Sequence, residues 1–486
     1  MDQTKRIRKI ASNTAWFITS RMAEVINSLL LVAIVARYLG VKEFGVYSFL
    51  IAACWTVLPL FLVLQRILVR DIAIDKGKAS EITGEGLALI GLLAPPILVF
   101  TMVLLVIFKV DAIYFPALAI NVFAITFAAL NSVCTSVFIA FEKVKYETLV
   151  SFVISFLSVV FMAAVVFFDM GFNAAFLAFM LSNLIGLCIS WGLAARLGAR
   201  PVIKFDKGRM IYFIKECGFL AVNQILIQVY SYLGVFFLKT FTTDYDIGLF
   251  QAPARVVNRL NVFPISFSVA LYPVLASLTA ISYQKEQIDQ MITTACRLTL
   301  IVTIPLSIAG FVMAEELVML FFGAKYVGSA ALLRLMILGI NFSFLIYIFE
   351  PLLIILHKQR NMFILNLILL TLSGALYYPL TKFSGAYGAS AAFFASNVLY
   401  LGIYLYYMSS IVSLAPLFRR GYLAIAGGGI ALGLIYFSAG RYPKFMVLAA
   451  ALAIYGVFAK KAFTFGEILF MKGLLRKKPA PSKIII

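Results

Sequence analysis

Charge is scarce in this chain. Of its 486 residues 13% are Asp, Glu, Lys or Arg and 63% are hydrophobic, whereas a soluble domain runs nearer a quarter charged and half apolar. That balance excludes a soluble globule. Histidine is confined to His357, and the connections between hydrophobic runs are short. A His-Asp arrangement or a catalytic loop with paired carboxylates has no room to form, which argues against a membrane glycosyl- or acyltransferase and against any enzyme. Cysteine is sparse and unpatterned. Cys54, Cys134, Cys188, Cys217 and Cys296 all fall within hydrophobic runs without metal-ligand spacing, so they read as small packing residues, and no metal or cofactor is expected. Acid is short as well, 21 Asp and Glu against 41 Lys and Arg, for a net charge of +20.

What the chain has in abundance is apolar runs of about 20 residues or more, each able to cross a hydrocarbon core of roughly 30 Å. They are too long and too uniform for barrel strands, so the class is an all-α polytopic membrane protein. Fourteen spans are expected, at 13–38, 46–68, 84–108, 112–140, 147–168, 172–195, 213–238, 247–279, 290–321, 328–356, 361–381, 385–411, 420–439 and 443–462. The first carries Arg21 and Glu24 and is too long for a signal-peptide core, so it should be retained. With the N-terminus inside, and residues near span ends counted with the adjoining connection, the tails and even-numbered connections hold 28 of the 41 basic residues, the outside connections 8 and the span interiors 5. This is the positive-inside bias. It removes the nucleic-acid reading of the +20 charge and predicts cytoplasmic N- and C-termini. The basic tails, Lys5–Lys9 and Arg476–Lys478, fall where anionic headgroups and membrane lipids would be their partners.

The longest polar interruption, residues 195–215, holds Arg196, Arg200, Lys204, Lys207, Arg209 and Lys215 and reads as a cytoplasmic linker. The segments after it echo those before. ARYLGVKEFGVYSFL (36–50) aligns with KTFTTDYDIGLFQAP (239–253), Gly45 on Gly248 and Glu43 on Asp246. IAFEKVK (139–145) matches IILHKQR (354–360). Gly171 leads to Ser182-Asn183 as Gly385 leads to Ser396-Asn397. Three echoes in one order indicate a duplication of six spans, and an even number of spans gives parallel repeats. The expected division is an N-lobe 1–195, a linker 196–212, a C-lobe 213–411, and spans 13 and 14 with a basic tail at 412–486.

ARYLGVKEFGVYSFL, the span 2 exit RILVRDIA, QAPARVVNRLNVFPISFSVALYPVLA and EELVMLFFGAKYVGSAALLRLMILG also carry a family likeness. In their order and spacing the chain resembles the polysaccharide transporter branch of the multidrug/oligosaccharidyl-lipid/polysaccharide superfamily, which includes Wzx-type O-antigen flippases. The resemblance covers residues 5 to about 460. It implies two six-helix lobes in a V that rock between inward- and outward-open states. It implies transport of undecaprenyl-diphosphate-linked oligosaccharide units from the cytoplasmic to the outer leaflet of the cell (inner) membrane, for O-antigen, lipopolysaccharide, capsule or exopolysaccharide assembly. The expected partners are the lipid-linked oligosaccharide, membrane lipids and polysaccharide polymerase machinery, with the transporter itself a monomer. The related lipid II flippases carry two extra spans that form a lipid groove. This chain also has fourteen, yet its motifs read closer to the O-unit and capsule transporters.

A flippase for a diphosphate-linked sugar needs cations in a wet cavity and amides or aromatics for the sugar. Ionisable groups in mid-span are the candidates, since each costs roughly 2.5–3.5 kcal/mol on insertion scales unless paired or solvated. On span 1, Arg21, Glu24 and Asn27 fall near one face. Arg21 and Glu24 are close enough to pair, and a structural ion pair is their alternative reading. On span 8, Arg255 and Arg259 are four apart with Asn258 between them, a fit for two phosphoryl groups; Arg255 could instead snorkel to the outer surface. Pro253, Pro264 and Pro273 should kink that span. On span 7, Gln224 and Gln228 form a polar stripe with Ser231 or Tyr232, suited to sugar hydroxyls or to interhelical bonds. Glu24 and Glu350 are the candidates for coupling to H+ or Na+. Arg66, Arg70 and Asp71 read as surface anchors or, alternatively, as a first contact for substrate phosphates, Arg334 as an anchor, and Arg297 as either anchor or cavity group. The alternative function is a cation-coupled multidrug exporter of the MATE type. Such an exporter should have cavity carboxylates in excess, whereas here mid-span arginines outnumber them.

Overall fold

Runs of Leu, Ile, Val, Phe and Ala of this length leave the backbone one way to satisfy its own N–H and C=O groups in lipid, and almost every described residue is helical. The computed structural model describes the backbone of residues 3–280, 285–438 and 443–462, with side chains from residue 25 onward apart from scattered positions. Fifteen helices follow in order: α1 (Gln3–Trp55), α2 (Pro59–Ile74), α3 (Ala79–Ile107), α4 (Phe115–Ala140), α5 (Val144–Phe167), α6 (Phe172–Arg196), α7 (Lys207–Phe241), α8 (Asp244–Leu260), α9 (Val262–Ala280), α10 (Lys285–Val312), α11 (Ala314–Phe322), α12 (Ser329–Ile355), α13 (Gln359–Ser409), α14 (Ala415–Ser438) and α15 (Lys444–Ala462).

Nine segments among the described residues are long and apolar enough to cross a membrane on their own. Part of the difference from fourteen has physical causes; the rest falls in α14 and α15, whose described stretches are short. α1 and α13 each hold two spans, broken at Gly40 (φ 73°) and Gly385 (φ 53°). The second span is interrupted at residues 56–58, just before Pro59, and the eighth at Asn261, three residues before Pro264. A proline has no N–H to give the preceding turn, so the helix restarts there. The short α11 is an extra element between the ninth and tenth spans.

The sequence echoes are echoes of geometry. The breaks at Leu58 and Asn261 stand the same distance apart as Gly45 and Gly248. α4 and α12 end in the same cap. Lys143 N–H reaches back to the Phe138 carbonyl at 2.7 Å and Lys358 N–H to that of Leu353 at 2.8 Å, and the residues before them, Glu142 (φ 58°) and His357 (φ 55°), are left-handed. This six-residue closure usually takes glycine. The lone histidine thus occupies a helix cap. In α6 and α13, Asn183 donates to the Phe179 carbonyl at 2.9 Å and Asn397 to that of Phe393 at 2.8 Å.

The chain forms two compact units, residues 1–252 with 321–325, and 253–320 with 326–486. In the first, α4 packs along α6, α5 along α6 and α1, and α2 along α4 and α7. In the second, α12 lies along α10, α9 and α13, while α14 and α15 pair with each other and against α10. By sequence α7 opens the second repeat; by packing it belongs with the first unit.

Within the first unit the two repeat glycines meet. A Cβ on Gly45 would lie 1.8 Å from the Asp244 carbonyl oxygen, and one on Gly248 would lie 2.0 Å from that of Val41. In the repeat alignment Val41 corresponds to Asp244, so each glycine touches the counterpart of the other's partner. The crossing has local two-fold symmetry. Only a residue without Cβ permits backbones this close, as in small-residue contacts between membrane helices.

Candidate functional site

Among the described residues of the first unit, a dense polar cluster lies where α2 ends and α3 and α7 begin. α7 starts with Asp206 as its N-cap, whose carboxylate accepts from Gly208 N–H at 2.8 Å and Arg209 N–H at 3.2 Å. The cap sets the first turn so that Arg209 faces inward. Its Nε donates to Glu85 at 2.9 Å, Nη2 lies 3.6 Å from Asp71, and its guanidinium stacks on Tyr212 and Phe213. Glu85 is buried, and Arg209 supplies its counter-charge. Beside them Arg70 pairs with Asp71 at 3.1 Å and Glu216 at 3.0 Å and donates to the Tyr212 hydroxyl. Reading Arg70 and Asp71 as surface anchors left out this network. The available signal was Glu85, a carboxylate at the start of an apolar run.

The expected site residues fall on several elements. The side chains of Arg21 and Glu24 lie outside the described residues. Asn27 is half-buried on α1. Gln224 and Gln228 are half-buried on α7, where Ser231 spends its hydroxyl on the Ile227 carbonyl of its own helix at 2.9 Å.

On α8, Asn258 is exposed and Arg259 half-buried. Arg255 is half-buried, and its Nη2 is enclosed without a hydrogen-bond partner; Asn261 Oδ1, at the break between α8 and α9, is likewise enclosed and unmatched. Enclosure of Nη2 is the opposite of a snorkelling arginine, whose head reaches water. An unmet charged donor at a broken membrane helix is costly unless something fills it. Arg255 and Asn261 together offer a cationic donor and an amide acceptor, the pairing that a phosphoryl group and a sugar hydroxyl require.

In the second unit, Glu350 is half-buried on α12 next to Pro351, with Tyr347 and Tyr404 as electrostatic neighbours. Arg297 on α10 is only 3% exposed and bonds the Thr293 carbonyl and Thr294 hydroxyl at 3.4 Å, which rules out surface anchoring. Arg334 pairs with Glu315 at 2.9 Å, and Lys444 at the start of α15 donates to Glu315 and Glu316 at 2.8 Å each. These bonds, Lys444 first and then Arg334, hold the Glu315 carboxyl below its ordinary range. The cluster docks α15 onto α11; the sequence reading took Arg334 for an anchor and did not use the two glutamates. In the first unit an open recess of about 560 Å3 is lined by residues 39–43, Tyr245 and Lys325. None of the expected site residues lines it.

A chain of long apolar helices, with paired breaks and polar groups held inside them, is a multi-pass membrane protein. Comparison with solved structures agrees. The fold is similar to that of a solved structure described as the lipid II flippase MurJ in an inward closed conformation, with a TM-score of 0.72 at 15% identity over 96% of this chain and 100% of that one. A multidrug resistance MATE family transporter of the MOP superfamily in an inward-facing conformation gives 0.64 at 14% identity, over 81% and 98%. The Vibrio cholerae MATE transporter VcmN gives 0.57 at 15%, over 82% and 97%. In sequence, the chain belongs to the "Polysaccharide biosynthesis protein" family, whose model matches residues 10–279. A Shigella flexneri protein, "Putative O-antigen transporter", is 21% identical over 127 residues, a match spanning 26% of this chain and 29% of that one.

Proposed function

We propose that the protein is a flippase, not an enzyme, that carries undecaprenyl-diphosphate-linked oligosaccharide units from the cytoplasmic to the outer leaflet by alternating access. The observation that carries this reading is the enclosed, unmatched Arg255 guanidinium nitrogen beside the broken α8–α9 segment. An anionic cargo would fill it, and an organic cation would not. Family membership and the MurJ-like fold support the same substrate class. Asn258, Arg259, Gln224, Gln228 and Asn27 are the further contacts of the reading, with Arg21 and Glu24 at its N-terminal end. Glu350 is the proposed coupling group, a carboxylate among tyrosines that could bind H+ or Na+. The setting is the inner membrane with cytoplasmic termini, the polymerase machinery is the downstream partner, and the protein acts as a monomer.

The test is flipping of a lipid-diphosphate oligosaccharide in liposomes holding the purified protein, read by accessibility of the sugar. Wild type should translocate it, and Arg255→Ala should not, at unchanged abundance. Glu350→Gln should lose dependence on an ion gradient. Full flipping by Arg255→Ala removes α8 from the mechanism. Ion-driven uptake of organic cations without glycolipid flipping makes the protein a MATE-type exporter instead.

A further inference from the structure

Between α6 and α7 the chain is pinned from one side only. Val202 N–H donates to the Ser80 carbonyl at 3.4 Å, and the Val202 carbonyl occupies the place where a Cβ on Gly84 would be. Lys204 pairs loosely with Glu81 at 3.8 Å, and Arg209 turns in to Glu85. The opposite side carries Val202, Ile203 and Phe205 at 57%, 58% and 67% exposure, and it continues onto α7 through exposed Ile211 and Ile214. Lys207, Ile211, Ile214 and Lys215 share one face of that helix, away from buried Phe213. Residues 200–215 hold five cations and one acid, Asp206, which is committed to the α7 cap. With Arg209 turned inward, the outward side presents Arg200, Lys207 and Lys215, and Lys204, 56% exposed and held only by its long contact to Glu81, reaches it from the edge.

We propose that this side is a docking surface for acidic phospholipid of the cytoplasmic leaflet. Val202, Ile203, Phe205, Ile211 and Ile214 enter the acyl boundary, while the four cations take headgroup phosphates. Charge complementarity selects the occupant. Apolar groups alternating with lysines, fixed on a rigid backbone, match the interfacial zone of a bilayer, where each such cation adds to the attraction. α7 runs on directly into the apolar span Leu220–Phe241, so the surface lies within about four helical turns of the hydrocarbon. The proposal rests on the topology of the transporter reading only in naming the cytoplasmic leaflet.

The experiment places Phe205→Trp, and separately Ile203→Trp, in the full chain in nanodiscs of phosphatidylcholine and phosphatidylglycerol. One lipid or the other carries brominated acyl chains, and the signal of the three native tryptophans is subtracted. Quenching at 205 and 203 should be stronger from brominated phosphatidylglycerol than from brominated phosphatidylcholine. Replacing Arg200, Lys204, Lys207 and Lys215 by Gln should abolish that preference, each cation contributing about fivefold or less. Quenching by aqueous iodide and by neither bromolipid would overturn the proposal and point to a protein partner or to water. Equal quenching by both lipids would overturn the headgroup selectivity. Both leaflets carry the same lipid and no transport is read, so an error in orientation or in the transporter reading leaves this result untouched. Labelling of a linker cysteine from each side of a vesicle reports orientation separately.

Discussion

Adding one methyl at the glycine crossing should cost more than its size suggests. A Cβ on Gly45 would sit 1.8 Å from the Asp244 carbonyl oxygen and 2.8 Å from its carbon; on Gly248 the distances to Val41 are 2.0 and 2.9 Å. An ordinary carbon–oxygen contact is about 3.3–3.6 Å, so either alanine must drive the helices apart by about 1.5 Å and forfeit close Cα–H···O contacts, each about 0.5–1 kcal/mol. The obstructing atoms are backbone and cannot rotate away, so overpacking adds about 1–3 kcal/mol. A loss of roughly 2–4 kcal/mol is expected for Gly45→Ala or Gly248→Ala. Once one methyl has widened the crossing the second meets a gap already open, so the double variant should lose little more than either single, a strong departure from additivity. Gly192→Ala on α6, with nothing within 4 Å of its Cβ position, is the control and should be neutral or stabilising by up to about 1 kcal/mol. Thermal unfolding in detergent of the four variants measures this, and at about 2–4 °C per kcal/mol a loss of 2 kcal/mol moves Tm by about 4–8 °C. Wild-type Tm in both single variants would refute the close crossing. Additive losses would show that the glycines serve separate contacts.

Arg209→Ala leaves buried Glu85 without its counter-charge, and with Arg209 about a third exposed the loss should be about 2 kcal/mol; Glu85→Ala on that background should recover part of it in a double-mutant cycle. Lys444 and Arg334 depress the Glu315 carboxyl, so their contribution is complete above the ordinary carboxylate range and is lost only as pH falls through the lowered value. Protection from hydrogen exchange at the start of α15, corrected for the intrinsic rate at each pH, should therefore be constant from pH 7 to 5 and fall in stronger acid, and a fall between pH 7 and 5 would exclude the tie. His357 sits at φ 55°, a conformation costing a non-glycine residue about 1–3 kcal/mol. His357→Gly should raise Tm, and a fall would show that the imidazole itself is needed.

Much of this molecule is legible in one dimension. Hydrophobic length identifies a spanning helix because lipid leaves the backbone no other way to satisfy its polar groups, and spacing between repeats is kept because each repeat must make the same turns. Thus Gly45 with Gly248, Glu142 with His357 and Gly171 with Gly385 could be paired from the sequence. The interruption near Pro264 follows from a missing N–H, whereas the one before Pro59 falls inside what reads as a single span. Arg255 could be singled out because an arginine within a span is expensive. Its partners could not, since spacing along one helix says which groups share a face and nothing of what that face meets. The same limit hid Glu85 with Arg209, 124 residues apart, and Glu315 with Lys444.

Although it left open the break before Pro59 and the continuity of the helices at Pro253 and Pro273, the sequence by itself determined the class of protein, its duplication and the break near Pro264. These are consequences of local backbone chemistry in an apolar solvent. Only the tertiary structure decided that α7 packs with the first unit, that Arg209 turns inward to Glu85, that Arg255 holds a nitrogen with no partner, and that two glycines related by the repeat touch each other's helices. Each of these is a meeting of residues far apart in the chain. Burial and charge settle such meetings only when the backbone has brought the groups within a few ångströms, where desolvation makes a matched pair stable and an unmatched one costly.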